Sequence, residues 1–413
     1  MKLKSRSVPN AAENLKRVLE QRNRLFLPAL ATASFASGPI TVLAALLLID
    51  IGNTFGTSVG VTGQINTLYS AAAVIFALLT GALSIKFRHR SLLLVGLFLM
   101  AISATGCFLA LDFVTLLAFY SLSGAGYAIV NPMAFTLVGD HFPLEKRANA
   151  IGLIIAGGAL VYVIGAPLIA VMSGYEGWRF PFLGFVLPIL LISLLLAYLG
   201  LPSTPNRRQA PSETKTNPRP KAIFLNRSVI ACLIGDTLRS AAFVAIVLYA
   251  TSFFRQRFLV PTDSASLILL GGALSYVFGS LTTGRFINRT GRKSSTVLAA
   301  LLSGTLTVSF SLVPNVWISL ILMLMASWFF GMVASSANSL ILEQTPELKG
   351  TLMSIDTALL NAGSAFGSTV GGLALLNFGY EGLGSVLGTI GIVAALVFYL
   401  LAKDPTKPPQ FTR

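Results

Sequence analysis

Long apolar runs alternate with short polar breaks along this chain, and the breaks recur at nearly even intervals. A helix needs roughly 20 consecutive apolar residues to cross a bilayer. On that measure the pattern predicts spans near residues 26–49, 61–83, 91–110, 114–138, 149–172, 181–200, 229–253, 264–286, 295–313, 316–340, 351–375 and 383–402. The predicted fold class is an all-α integral membrane protein with twelve transmembrane helices.

One polar segment is longer than the rest. Residues 201–227 are rich in Pro, Ser, Thr and basic side chains, a composition that cannot bury a core and reads as a flexible linker. The expected organisation is an N-terminal segment (1–25), a six-helix bundle (26–200), the linker (201–227), a second six-helix bundle (228–402) and a tail (403–413). Within the N-terminal segment, Asn14–Arg24 reads as a basic amphipathic helix lying on the membrane surface.

Composition agrees with a lipid solvent. Hydrophobic residues make up 54% of the 413 residues and charged residues 11%, against about 25% charged in soluble domains. The net charge of +15 would suggest nucleic acid in a soluble protein, but no basic stripe interleaved with aromatics is present, and the charge is a matter of topology. With the N-terminus placed inside, 26 of the 30 Lys and Arg residues fall on that side. Only Arg179, Arg255 and Arg257 fall in the loops opposite, and Arg239 lies within a span. Lys and Arg collect in cytoplasmic loops. The expectation is therefore a multi-pass protein of the plasma or inner membrane, with both termini cytoplasmic.

The two halves repeat one another. Gly81, Lys86, Arg88 and Arg90 precede the third span, as Gly284, Arg285, Arg289, Gly291, Arg292 and Lys293 precede the ninth, with the first glycines 203 residues apart. Asp140, Pro143 and Arg147 close the fourth span, and Glu343, Pro346 and Lys349 the tenth, with acid and proline again offset by 203. Gly174-Tyr-Glu-Gly177 recurs as Gly379-Tyr-Glu-Gly382. These are two parallel six-helix repeats, an arrangement that puts a binding site at the midplane between the halves.

Here the chain resembles the major facilitator superfamily, from about Leu25 to Ala402. Gly284-Arg-Phe-Ile-Asn-Arg-Thr-Gly-Arg-Lys293 is similar to that family's cytoplasmic loop signature, Gly-x-x-x-Asp-Arg-x-Gly-Arg-Lys, with Asn288 in the Asp position. The first-half copy, Gly81–Arg90, is degraded: Ile85 takes the Asp position and Arg88 that of the second Gly. Gly177-Trp-Arg-Phe-Pro-Phe182 is similar to the family's approach to its sixth span. The resemblance implies a secondary transporter working by alternating access, and is nearest to prokaryotic exporters of drug or metabolite type. Two family features are missing. Tyr120 stands where such exporters carry an Arg ahead of Gly124-Ala-Gly126, and Gly165-Ala-Pro167 lacks the later glycines of the antiporter signature.

The loop signature also has a physical reading. A glycine at a span end permits close helix approach, and the basic residues can pair with Asp140 and Glu343. Such pairs would form a cytoplasmic latch made of Gly81, Lys86, Arg88, Arg90, Asp140, Arg147, Gly284, Arg285, Asn288, Arg289, Gly291, Arg292, Lys293 and Glu343, with plain positive-inside topology as the alternative.

Ionisable groups inside spans are costly and mark function by default. Asp236 and Arg239 lie roughly 13 and 18 Å along the seventh span from Arg227, at about 1.5 Å per residue. At i, i+3 spacing they either neutralise each other structurally or let Asp236 take up a proton or cation and release Arg239. Asp356, early in the eleventh span, either complements a helix dipole or carries a proton. Asp50 reads as a solvated end residue. Tyr120, Ser123, Tyr127, Asn131, Trp328, Asn338 and Asn361 are candidates for the lining of a solute cavity, with helix packing as the alternative for each; Tyr69, Tyr162, Tyr249 and Tyr276 add aromatic surface.

No cofactor is implied. Cys107 and Cys232 fall in spans, His89 and His141 in loops, and no metal-spaced cluster, P-loop or nucleophile–His–acid set is present. That argues against an enzyme. The expected activity is secondary active transport of a small amphipathic organic solute, with proton-coupled export as the leading case and uptake or facilitated diffusion as the alternative. The expected partners are that solute, protons and lipid, with no nucleic acid, and the unit is a monomer. A non-transporting membrane sensor or scaffold is the reading from another class.

Overall fold

The computed structural model describes residues 25–142, 144–202, 226–345 and 349–404, with backbone alone at 85, 144–149, 349–351 and 354. The Asn14–Arg24 helix, linker residues 203–225, Pro143, Pro346 and the tail from 405 lie outside the described residues.

The spans are α1 (Leu25–Phe55), α2 (Gln64–Lys86, preceded by the short turn Val59–Thr62), α3 (His89–Leu109), α4 (Phe113–His141), α5 (residues 144–176), α6 (Phe182–Gly200), α7 (Arg227–Arg257), α8 (Thr262–Thr290), α9 (Arg292–Leu312) and α10 (Val316–Gln344). The last helical run, Lys349–Leu401, is 53 residues long. A single span takes about 20, so this run crosses twice. It breaks at Gly379, whose φ of 66° is open to glycine but strained for other residues. That gives α11 (residues 349–378) and α12 (residues 380–401), and twelve membrane-spanning helices among the described residues.

Local chemistry sets the helix ends. Asp112 caps α4 by accepting from the Thr115 backbone N–H at 2.8 Å, which holds its exposed carboxyl below the usual range, and the Thr115 hydroxyl faces back to the Asp112 amide. Asn226 and Asn315 cap α7 and α10 in the same way. Most helices run several residues past the apolar stretches, because capped polar ends reach the headgroup region.

Three spans of the first half are irregular. α1 breaks at Ser37–Gly38 and restarts with Pro39, which has no N–H to give the preceding turn. α5 and α6 each contain a wide π-type turn, Val161–Gly165 and Phe182–Val186, immediately ahead of Pro167 and Pro188. An extra residue in the turn absorbs the proline's missing donor.

Because successive spans run antiparallel, one face of the bundle carries the basic loops and the other is poor in charge. The largest apolar core fills the first half and continues into the second through Tyr249, Phe253, Phe254, Phe310 and Phe330. A separate cluster around Cys232, Leu340, Leu352 and Phe398 lies in the part of the second half nearer the basic face. The two halves therefore share a core toward the charge-poor face and not toward the basic one.

Candidate functional site

Side chains crossing between the halves have the same bias. Among the described residues, every inter-half hydrogen bond lies toward the charge-poor face. Asn66 of α2 donates to Ser368 of α11 at 2.6 Å, and Ser70 shares a hydrogen bond with Ser364 at 2.8 Å. Thr369 bonds Thr67 at 3.1 Å, and Thr251 of α7 donates to the Ala45 carbonyl of α1. Arg255 of α7 grips Asp50 of α1 with both terminal nitrogens, at 2.6 and 3.0 Å, and donates to the Leu46 carbonyl at 3.0 Å. Asp50 is thus not a solvated end residue. It is half of an ion pair that ties the two halves together, because α1 and α7 end side by side. The bundle is closed at its charge-poor face.

The buried charges cluster on α7 and α11. Arg239 donates from Nε to Asp236 Oδ1 at 2.5 Å, and the two side chains are 7% and 0% exposed. The other Asp236 oxygen has no hydrogen-bond partner. Asp356 is 1% exposed, and neither of its oxygens has one. Asp236 and Arg239 are its electrostatic neighbours, and Tyr276 of α8 faces the same guanidinium. Taking an ion out of water costs several kcal/mol unless it is paired. One buried cation, bonded to Asp236, therefore has a second buried carboxyl in its electrostatic neighbourhood, and three of the four carboxyl oxygens have no hydrogen-bond partner.

The expected cavity residues divide. Tyr120 is 1% exposed and its hydroxyl donates to the Ile40 carbonyl at 2.7 Å, beside the α1 break, so it is a structural residue and not lining. Ser123 is fully buried with no hydrogen-bond partner. The Trp328 ring packs on Phe286 and Phe329 at the α8–α10 seam. Tyr127, half-buried, accepts from Asn131 at 2.9 Å and stands 6.0 Å from the Tyr69 ring. Asn338 keeps a buried, unpartnered carbonyl oxygen, and Asn361 donates back to Thr357 at 3.0 Å. Tyr162 lies near both Tyr127 and Tyr276, which brings tyrosines of the two halves together.

Latch residues form pairs within each half. Arg292 lies 3.6 Å from Glu343 and donates to Ser339 at 2.9 Å. In the first half His89, not an arginine, meets Asp140, at 2.7 Å. His89 precedes Arg292 by the same 203 residues that separate Asp140 from Glu343, so the two pairs are repeat equivalents. Arg90 instead donates to the Tyr198 carbonyl at 2.6 Å, and Arg88 is exposed at the start of α3. Lys86, Arg285, Asn288 and Arg289 are exposed, and no ion pair joins them to a described acid. Lys293 lies over the Tyr399 ring at 5.8 Å. Gly291, with φ 85°, makes the turn from α8 to α9. The Arg147 side chain lies outside the described residues. Gly81 and Gly284 do not admit a close helix neighbour here: a Cβ at either would meet nothing within 4 Å.

A sequence profile described as the Major Facilitator Superfamily matches residues 29–275 and 241–413. The chain belongs to the Major Facilitator Superfamily. A curated relative within it is a "Probable sugar efflux transporter" of Pasteurella multocida, 25% identical over 382 residues, covering 90% of this chain and 91% of the relative. Among solved superfamily folds, a bacterial homologue of the human lysosomal transporter Spinster, in an inward-facing and occupied conformation, superposes with a TM-score of 0.75 at 16% identity, covering 91% of this chain and 96% of that one. A D-xylose–proton symporter does so with 0.76 at 17%, covering 92% and 98%. At these identities the likeness is one of fold.

For this superfamily member, sequence reasoning missed the closure network: Asn66, Ser70, Ser364, Ser368 and the Asp50–Arg255 pair. The available signal was a charged residue near the end of α1 and another in the last turn of α7, on the face otherwise poor in charge. His89 gives no signal by itself, because a loop histidine has no distinctive pattern until the 203-residue repeat is laid over it.

Proposed function

We propose that this protein exports a small, neutral, amphipathic solute of sugar or glycoside type across the cell membrane by alternating access, in exchange for protons. The observation that carries the reading is the α7–α11 charge cluster. Arg239 can neutralise one carboxyl, so the second is carried at least cost as the uncharged acid. With Asp236 ionised, Arg239 cationic and Asp356 protonated, the cluster is neutral. Loss of the Asp356 proton leaves a net negative charge that draws the guanidinium between two acids. That change is confined to the seam between two spans that also take part in inter-half contacts, which is where a two-state element must be biased.

The basic face, by the Lys and Arg count, is the cytoplasmic one, so the closed charge-poor face is external and the conformation inward-facing. Residues 26–200 and 228–402 act as the rocking units. Tyr127, Asn131, Tyr162, Tyr276 and Asn338 supply aromatic surface and neutral hydrogen-bonding groups, the chemistry that holds a sugar-like solute. The names of the sugar efflux relatives favour the same class and direction.

The test is reconstitution into liposomes with a pH-sensitive dye inside. A sugar- or glycoside-dependent proton flux that falls in Asp356→Asn is the expected result. Solute movement with no proton flux would remove protons from the mechanism and return the cluster to a structural role.

A further inference from the structure

A cleft of about 500 Å³, lined about equally by polar and apolar groups, opens at the charge-poor face, on the far side of the closed seam from the charge cluster. Its walls come from both halves. Asp50, Asn53 and Thr54 belong to the end of α1, Trp178 to the α5–α6 turn, and Thr262 and Asp263 to the start of α8. One wall is therefore the acid of the inter-half ion pair. Asp50 is 35% exposed while both of its oxygens hold Arg255.

The cleft is built firmly. The Trp178 indole donates to Thr54 Oγ1 at 2.7 Å. The Arg179 guanidinium lies 4.6 Å from the Trp178 ring and donates to the Ala110 carbonyl at 2.9 Å. The turn that presents the indole passes through Gly177 at φ 79°.

The lining is a set of hydrogen-bonding groups rather than an uncompensated anionic patch. Asp50 already has its cation, and Asp263 sits in the first turn of α8, where the helix N-terminus favours a carboxylate. Two carboxylates accept from vicinal hydroxyls, and Asn53 and Thr262 both donate and accept, while the Thr54 hydroxyl is held in place, donating to the Asp50 carbonyl at 2.9 Å and accepting from Trp178. The Trp178 indole is buried against Phe55, Phe182 and Arg179, and only an edge of it reaches the cleft wall. This fits a polyhydroxylated ring better than an amine.

We propose that the cleft is a binding site for a polyhydroxylated solute of glycoside type, at which the solute competes with Arg255 for Asp50 and so favours opening of the charge-poor face. A ligand that gains a hydrogen bond only when Arg255 lets go binds the open state more tightly, and shifts the equilibrium by that difference. The proposal takes its ligand class from the transport reading above but concerns a separate site. A glycoside bound here yet not transported would sink that reading alone, and glycoside transport without binding here would sink this one alone.

The test uses the full chain in nanodiscs, with tryptophan fluorescence followed while methyl β-D-glucoside is added. The expected result is a saturable change that disappears in Trp178→Phe. Asn53→Ala and Asp263→Asn should each weaken the apparent affinity by about tenfold, the size of one lost hydrogen bond to a charged or polar partner. Arg255→Gln should strengthen it, because Asp50 is released; if that variant does not fold, Arg255→Lys, which gives up the two-point grip, should strengthen it less. No saturable response, a response that survives Trp178→Phe, or equal affinity across the variants would overturn the proposal. So would saturation by tetramethylammonium in place of the glucoside.

Discussion

Gly60, in the turn before α2, and Gly372, in α11, face each other backbone to backbone across the two halves. A Cβ added at Gly60 would strike the Gly372 carbonyl at 2.6 Å, and one at Gly372 would reach the Gly60 carbonyl and the Gln64 amide, both at 2.5 Å. Real Cβ atoms do not approach so closely, so closure of this face requires glycine at both positions. Gly372→Val is expected to fold, since its own helix tolerates the residue, but to hold the charge-poor face open. Distance measurements between spin labels on the ends of α1 and α7 should lengthen relative to the parent. An unchanged distance would mean that the helices slide to make room.

Asp236 bonds Arg239, the one buried cation among the described residues, and Asp356 lies in its electrostatic neighbourhood, which makes the effects of the two acids interdependent. Either Asp→Asn change alone leaves one acid to neutralise Arg239 and should cost little. The double change strands the guanidinium, a loss of about 3–5 kcal/mol for an unpaired buried charge. A double-mutant cycle on stability in detergent therefore returns a large coupling term. Strictly additive losses would show that Asp356 does not serve Arg239.

Asp356→Asn keeps the shape of the neutral acid and removes its proton. Exchange of labelled solute for unlabelled solute is expected to persist, while accumulation driven by a proton gradient is lost. The comparison of counterflow with gradient-driven transport reads this directly, and a variant that still concentrates solute would place the coupling elsewhere.

Gly284 has open space around it in this conformation. A leucine should fit without loss of thermal stability. When the basic face closes in the other half of the cycle, the same leucine would lie between the halves, so transport should fall by about tenfold or more, which is only about 1.4 kcal/mol of obstruction. Normal transport by Gly284→Leu would mean that this glycine is not at the closing surface.

Much of the architecture was legible because a bilayer leaves the chain few choices. Each apolar run must become a helix that satisfies its own backbone, so the spans, the sixfold division and the placement of Asp236, Arg239 and Asp356 within them follow from the sequence. The 203-residue offset by itself marks Asp140 and Glu343 as equivalents. It also aligns His89 with Arg292, each the first residue of its helix, but it does not show that either side chain meets its acid, since several basic residues beside them have the reach and only helix rotation selects one.

Sequence alone determined what is one-dimensional here: span length, the Lys and Arg asymmetry, and the i, i+3 spacing that makes Asp236 and Arg239 a pair. Tertiary structure decided everything that depends on one helix meeting another. Tyr120 went to the Ile40 carbonyl, Trp328 to a helix seam, Asp50 to Arg255, and Asp356 to a place beside a pair it does not bond. In lipid the apolar side chains of all twelve helices are nearly interchangeable as solvent-facing groups. Hydropathy therefore fixes which segments span, while packing contacts and the few polar groups between helices fix how each one turns.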